Sequence, residues 1–337
     1  MLSALTMKRR TNMCSLFGWL DYHGIVPDKF KRKLTQALAN AAEERGTDAA
    51  GISYVSGGDV KIFKHPKLAH RIHFTISEKT AAVMGHTRMA TQGDKKHNFN
   101  NHPFPGHAGE NSFAFAHNGV LWNDRELRKE KNLSDTHIET DSYIAVQLIE
   151  QQGSLNFDSL KSMAETVQGN FTFTVLDQNN NLYIIKGSNP ICLLHFPALG
   201  FYVYASTESI VNNALKRVGL TKFAYERIET TEGDILRIDR NGVIERAEFE
   251  PALYRSKFGA GYDTDNSPFY SQHEELLLTY CGCYGVDTSE VELLLDYGYT
   301  CDEIEEMLND HDLLQEALGN VRFMCGEDIY ESYNGVF

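Results

Sequence analysis

Turn-forming clusters set between short apolar runs constrain this chain more than any other feature. Asp177-Gln-Asn-Asn-Asn181 separates the apolar runs 171–176 and 182–186, and Asp239-Arg-Asn-Gly242 follows the run 235–238. Asn, Asp and Gly tolerate the backbone conformations of tight reversals, so such spacers join strands that fold back on one another. A chain punctuated this way builds antiparallel sheets rather than alternating βαβ units. Further β-type runs cover 15–20, 51–56, 60–64, 81–88, 113–117, 191–196 and 201–206, the second and third joined by Gly57-Gly58. Helical spacing of Phe30, Leu34, Ala37, Leu38 and Ala41 predicts a helix over 28–44, and further helices are expected over 124–131, 140–152, 155–167 and 208–218. Two groups of strands with helices clustered between them predict an α+β fold of layered sheets covered by helices.

The charge is divided as unevenly as the pattern. The net charge is −14, yet residues 260–337 hold 18 acidic side chains against the single base Arg322, which leaves +3 for residues 1–259. A tail this acidic repels nucleic-acid phosphates, and the front part lacks a dense basic stripe, so nucleic acid is excluded as the main ligand. No stretch approaches the roughly 18 uninterrupted apolar residues of a membrane span, which predicts a soluble, cytoplasmic protein. Six cysteines spread over 337 residues agree with a reducing compartment. Four segments are expected: a basic leader 1–13 absent from the mature protein, a domain over 14–250, a linker over 251–268, and a small acidic all-α domain over 269–337. Short helices are expected in this last part at 273–281, 289–297, 301–309 and 312–318.

Cys14 follows Met13 and opens the first apolar run. Removal of Met13 as an initiator would leave Cys14 as the N-terminus, with a thiol of pKa about 8.5 and an α-amine of about 7.7–8.0 on one residue. The amine then serves as the base for the thiol, and no catalytic histidine is required. Taken alone, Cys14 reads more readily as a buried strand cysteine, the usual place of a lone Cys.

Seven blocks in order decide between the two: Cys14-Ser-Leu-Phe-Gly18, Arg45-Gly-Thr-Asp-Ala-Ala-Gly51, Gly85-His-Thr-Arg-Met-Ala-Thr-Gln-Gly93, Asn101-His-Pro103, His117-Asn-Gly119, Glu139-Thr-Asp141 and Gln168-Gly169. With them, residues 14–250 resemble the glutamine-hydrolysing domain of class II glutamine amidotransferases, a branch of the Ntn hydrolases. The resemblance implies a four-layer αββα sandwich and L-glutamine as substrate, with no cofactor. It also implies roles residue by residue. Cys14 is the nucleophile, and Asn118 and Gly119 form the oxyanion hole through a side-chain amide and a backbone N–H. Arg88 pairs with the α-carboxylate, for which a forked guanidinium suits bidentate contact, and Asp141 holds the α-ammonium. Arg45 helps to order the nucleophile, and Thr91 and Gly93 belong to the loop that covers glutamine. Asn101-His-Pro103 is pocket scaffolding, and His86, His102 and His117 are structural, with no metal. Read without the family, Asn118-Gly119 is an ordinary hairpin turn, and Asp141 sits in the first turn of a helix and favours its dipole.

Met89 and Gln92 stand where the amino-sugar enzyme of this family has Trp and His. The acceptor-binding domains of full-length amidotransferases are not recognised in the remaining residues, so ammonia is expected to pass to a separate synthase-like partner docked through residues 260–337, because concentrated charge steers association. Residues 291–308 weakly resemble the helix–Gly-aromatic–helix core of ubiquitin-associated-type bundles, and read more readily as an acidic three-helix packing module. Cys281, Cys283, Cys301 and Cys325 read as small core residues rather than a zinc set. Two other functions stay open at this level: an Ntn amidase for another γ-glutamyl or amide substrate, and a non-catalytic scaffold with a partner-binding tail.

Overall fold

The computed structural model describes residues 14–90, 92–251 and 277–325, the last without positions 279, 282, 283, 285, 298 and 309. The expected leader, residues 252–268 of the expected linker, most of the expected helix 273–281, Thr91 and Cys283 lie outside the described residues. The chain divides between Arg255 and Ser256 into two compact units.

In the first unit, the apolar runs pair into two antiparallel sheets. One sheet has seven strands in the order β11-β9-β10-β1-β4-β2-β3: β1 (Ser15–Asp21), β2 (Ala49–Ser56), β3 (Asp59–His65), β4 (Ala82–Arg88), β9 (Cys192–Phe196), β10 (Phe201–Ala205) and β11 (Glu226–Ile228). The other has six in the order β13-β12-β8-β7-β6-β5: β5 (Phe104–Ala108), β6 (Asn111–Leu121), β7 (Gly169–Asp177), β8 (Leu182–Lys186), β12 (Asp234–Ile238) and β13 (Ile244–Glu248). The helices of this unit are α1 (Asp28–Ala42), α2 (Asp124–Glu130), α3 (Tyr143–Gln151), α4 (Phe157–Thr166) and α5 (Glu208–Val218).

Because side chains alternate along a strand, each sheet offers one face to the other sheet and one to helices. On β1, Leu16 and Leu20 enter the cluster between the sheets with Met84, Ala114, Ala116 and Ile184. Phe17 and Trp19 point the other way and pack with Leu34 and Leu38 of α1 and Ile210 and Leu215 of α5. Phe113, Phe115 and Phe173 of the second sheet pack with Ile144, Ile149 and Leu160 of α3 and α4. The order from one side to the other is helices, sheet, sheet, helices. A buried ion pair pins α1 to β1: Lys31 Nζ lies 3.3 Å from Asp21 and donates to the Thr80 carbonyl at 2.8 Å.

Three strands lie where none was expected, and all three are sheet edges: β5, β11 and β13. β5 contains Pro105 and Gly106, and β13 reads Ile-Glu-Arg-Ala-Glu, compositions tolerated where one side of a strand faces no partner. β6 runs on to Leu121, so Asn118-Gly119 lies inside a strand opposite Thr172 and Phe171 and is no hairpin turn. Helix α3 begins at Tyr143, which leaves Asp141 ahead of it rather than in its first turn.

In the second unit, helices α6 (Thr288–Tyr297), α7 (Cys301–Leu308) and α8 (His311–Cys325) pack around Leu277, Cys281, Leu294, Ile304, Leu318 and Val321. Helix α8 extends beyond the expected 312–318. Among the described residues no helix is long and apolar enough to cross a membrane, and no three His, Cys, Asp or Glu side chains stand together as a metal-binding group.

Candidate active site

The site forms where strand ends from both sheets meet. β1 and β4 pair with Ser15 opposite Thr87, so the start of one strand lies beside the end of the other and brings Cys14 next to Arg88. Alternation from Leu16 and Met84 turns Cys14 and Arg88 toward the space between the sheets. From the other sheet β6 arrives with His117, Asn118 and Gly119, and the His86 Nε2–H donates to the His117 carbonyl at 2.9 Å, tying the sheets together. One cavity is lined by Cys14, Arg88, Met89, Gln92, Gly119 and Asp141, together with His102, His117, Thr140 and Ser142. Five of the expected site residues are thus Cys14, Arg88, Gly119 and Asp141 on the cavity wall, and Asn118 next to Gly119 in β6 without lining it.

Cys14 Sγ lies 3.4 Å from both the N–H and the carbonyl of Met89, and the Arg45 Nε–H donates to the Cys14 carbonyl at 3.1 Å. Burial pushes the thiol up to about 11, against the opposing pull of the Met89 N–H and the Arg88 and Arg45 cations. A thiol in that state needs a base close by before it can attack.

Arg88 is buried at the end of β4. Its Nη1 donates to Asn101 Oδ1 at 2.8 Å, and its Nη2 to the carbonyls of Gln92 and, at 3.1 Å, Gly93. Gly93 therefore acts through its carbonyl, and with φ +78° it occupies a backbone region suited to glycine. Loop 89–95 is held from outside as well. The Ala90 N–H donates to Asp48 Oδ2 at 2.9 Å, Lys95 pairs with the same carboxylate, and the Asp94 N–H donates to Glu139 Oε2 at 3.1 Å.

Asp141 accepts from the Leu121 N–H at 2.7 Å and from the Ser142 hydroxyl at 3.4 Å. Burial raises its carboxyl to about 6 despite these donors. The Asn118 side chain is fully buried, and its amide has no hydrogen-bond partner among the described residues. A buried amide without a partner is costly unless something else occupies the space beside it. His86 and His117 are held neutral by burial, each lowered to about 3. His102, its ring 4.2 Å from His86, is likewise held well below the usual range. Sequence reasoning assigned no role to the Met89 backbone, Asp48, Glu139 or Ser142, although all four sit within or beside the quoted blocks.

Comparison with known proteins agrees with this geometry. Residues 86–210 match the glutamine amidotransferase domain family. The glutamine–fructose-6-phosphate aminotransferase (isomerizing) of Staphylococcus epidermidis is 33% identical over 261 residues, covering 72% of this chain and 41% of that protein. This is a class II glutamine amidotransferase domain. The Staphylococcus aureus enzyme of the same name is 30% identical over 190 residues, covering 54% of this chain and 30% of its own length. The chain thus spans less than half the length of the curated relatives it matches. The amidotransferase fold is seen again in the glutamine phosphoribosylpyrophosphate amidotransferase of B. subtilis, solved with ADP and GMP, at a TM-score of 0.54 and 23% identity over 70% of this chain and 49% of that one.

Proposed function

We propose that this domain hydrolyses the side-chain amide of L-glutamine to glutamate and ammonia, with Cys14 as an N-terminal nucleophile. The observation that carries the reading is the convergence of a thiol, a buried cation, a buried carboxylate and Gly119 of β6 on one cavity. Glutamine is a zwitterion with a terminal amide, and it needs these four groups. Arg88 takes the α-carboxylate, a stronger acceptor than the loop carbonyls it now holds. Asp141 takes the α-ammonium and is ionised by it.

In a chain that begins at Cys14, the α-amine removes the thiol proton through a water molecule. The thiolate adds to Cδ of glutamine, and the oxyanion is met by the Asn118 side-chain N–H and the Gly119 N–H. Collapse of the tetrahedral intermediate breaks the C–N bond, and the protonated amine returns its proton to the departing ammonia. Water then adds to the γ-glutamyl thioester, and glutamate leaves as the thiol is restored. The test is release of glutamate and ammonia from glutamine by protein whose intact mass confirms Cys14 as the first residue. No release from such protein would overturn the reading.

The ammonia passes, in this proposal, to an acceptor on a separate cytoplasmic synthase-like protein docked through the acidic residues 260–337. Their charge of −17 supports a basic partner surface and an association that weakens with salt. Co-purified partner is expected to dissociate faster as ionic strength rises, and to bind a chain ending at residue 259 at least about tenfold more weakly. Salt-independent binding, or equal binding by the shortened chain, would remove the docking role.

A further inference from the structure

Asn189 belongs to none of the seven blocks, yet it touches the peptide that the oxyanion reading depends on. It lies between β8 and β9 and is 3% exposed. Its N–H donates to the Phe171 carbonyl at 3.2 Å, and its carbonyl accepts from the Thr172 hydroxyl at 2.6 Å. Both partners are on β7, the strand paired with β6, so its position is set from the neighbouring strand. Its side-chain Nδ2 donates to the Asn118 carbonyl at 2.8 Å. Only the amide nitrogen can donate to a carbonyl, which fixes the orientation of the side chain.

The Asn118 carbonyl and the Gly119 N–H belong to one peptide unit. In a trans peptide they point in opposite directions, so holding one aims the other. Gly119 has φ +143°, and a Cβ there would stand 2.0 Å from the Asn170 carbonyl oxygen and 2.7 Å from Asn189 Nδ2. The following peptide is held as well, because the Val120 N–H donates to Asn170 Oδ1 at 3.0 Å. A glycine in an open backbone region is thereby held on both sides by buried asparagine side chains.

We propose that Asn189 is a positioning residue that aims the Gly119 N–H at the oxyanion formed on attack by Cys14. The inference rests on the glutaminase reading above and adds to it the group that keeps one oxyanion donor in place before substrate arrives. Donors fixed in advance stabilise developing charge without reorganisation, and their loss lowers kcat rather than substrate binding.

The experiment compares Asn189→Asp, Asn189→Ala, Asn189→Ser and Thr172→Val in the full protein with Cys14 as its confirmed N-terminus. Asn189→Asp keeps the shape and removes the donor. Thr172→Val removes a bond from the same segment but leaves Asn189 Nδ2 in place. Rates are expressed per Cys14 alkylated by iodoacetamide, so a partly folded preparation is still scored. That alkylation forms an S–C bond with loss of iodide and passes through no oxyanion. For Asn189→Asp and Asn189→Ala, kcat is expected to fall about 10- to 100-fold with KM for glutamine within twofold and alkylation of Cys14 at the wild-type rate. Asn189→Ser is expected to fall between them and wild type. Thr172→Val, which removes one of the two β7 contacts to Asn189 but keeps its Nδ2, is expected to lower kcat less than either Asn189→Asp or Asn189→Ala. Wild-type kcat in the Asn189 variants, a change confined to KM, slowed alkylation, or an equal loss in Thr172→Val would overturn the positioning role while leaving the glutaminase reading intact. Wild-type protein without glutaminase activity would remove both.

Discussion

Replacing Cys14 with alanine is expected to reduce glutamate release from glutamine by about 10,000-fold or more, since removal of a nucleophile disables every step that follows. The fold is expected to survive. Cys14 precedes β1, and its backbone contact to Arg45 uses a carbonyl that alanine retains. Circular dichroism and melting temperature should therefore match wild type while turnover is lost. Cys14→Ser tests the same step more finely. A hydroxyl is far less acidic than a thiol, and the surroundings already push the Cys14 thiol up to about 11. An amine base cannot activate a serine there at a useful rate, so this variant is expected to lose nearly as much. Activity within tenfold of wild type in Cys14→Ala would show that another group attacks, and would end the N-terminal nucleophile mechanism. A chain that retains residues before Cys14 has no α-amine at that position and is expected to behave like Cys14→Ala toward glutamine.

The parts of the site legible in the sequence are those carried by local blocks, and the parts missed are those made by distant contacts. Arg88 and Cys14 stand at strand ends whose apolar runs are plain, and pairing of β1 with β4 brings them together. Asn118-Gly119 shows the limit of local reading. By turn chemistry alone it is a hairpin, yet β7 pairs along its whole length and Asn170 and Asn189 take its peptide groups, so tertiary contacts override the local preference. The bonds from Ala90 to Asp48, Asp94 to Glu139 and Asn189 to Asn118 join positions 42, 45 and 71 residues apart, and no periodicity announces them. The edge strands β5 and β13 escaped for a different reason. A strand paired on one side needs less apolar surface, so β5 and β13 lack the composition by which the interior strands declare themselves.

Asp141→Asn should weaken glutamine binding by about 100- to 1,000-fold, because it removes the only charge the cavity offers to the α-ammonium among its lining side chains. The substitution keeps an oxygen able to accept from the Leu121 N–H, so the loss reports charge rather than a broken backbone contact. The pH dependence separates this from any effect on chemistry. Burial raises the Asp141 carboxyl to about 6 from an ordinary 3.8. Between these values the folded, glutamine-free protein holds a proton that the unfolded chain has lost, so the stability contribution of this group declines as pH rises and its cost is complete above about 6. Bound ammonium reverses the balance by favouring the carboxylate. Glutamine affinity measured by calorimetry on Cys14→Ala, where no turnover interferes, should be level above pH 6 and fall toward tenfold per pH unit below it. In Cys14→Ala/Asp141→Asn it should be weak and independent of pH across the same range. If the double variant keeps the acid limb, the titrating group is another one, and Asp141 is not the ammonium site. If affinity is unchanged in Asp141→Asn at pH 7.5, the ligand of this pocket lacks the ammonium group, and the substrate is an amide other than free glutamine.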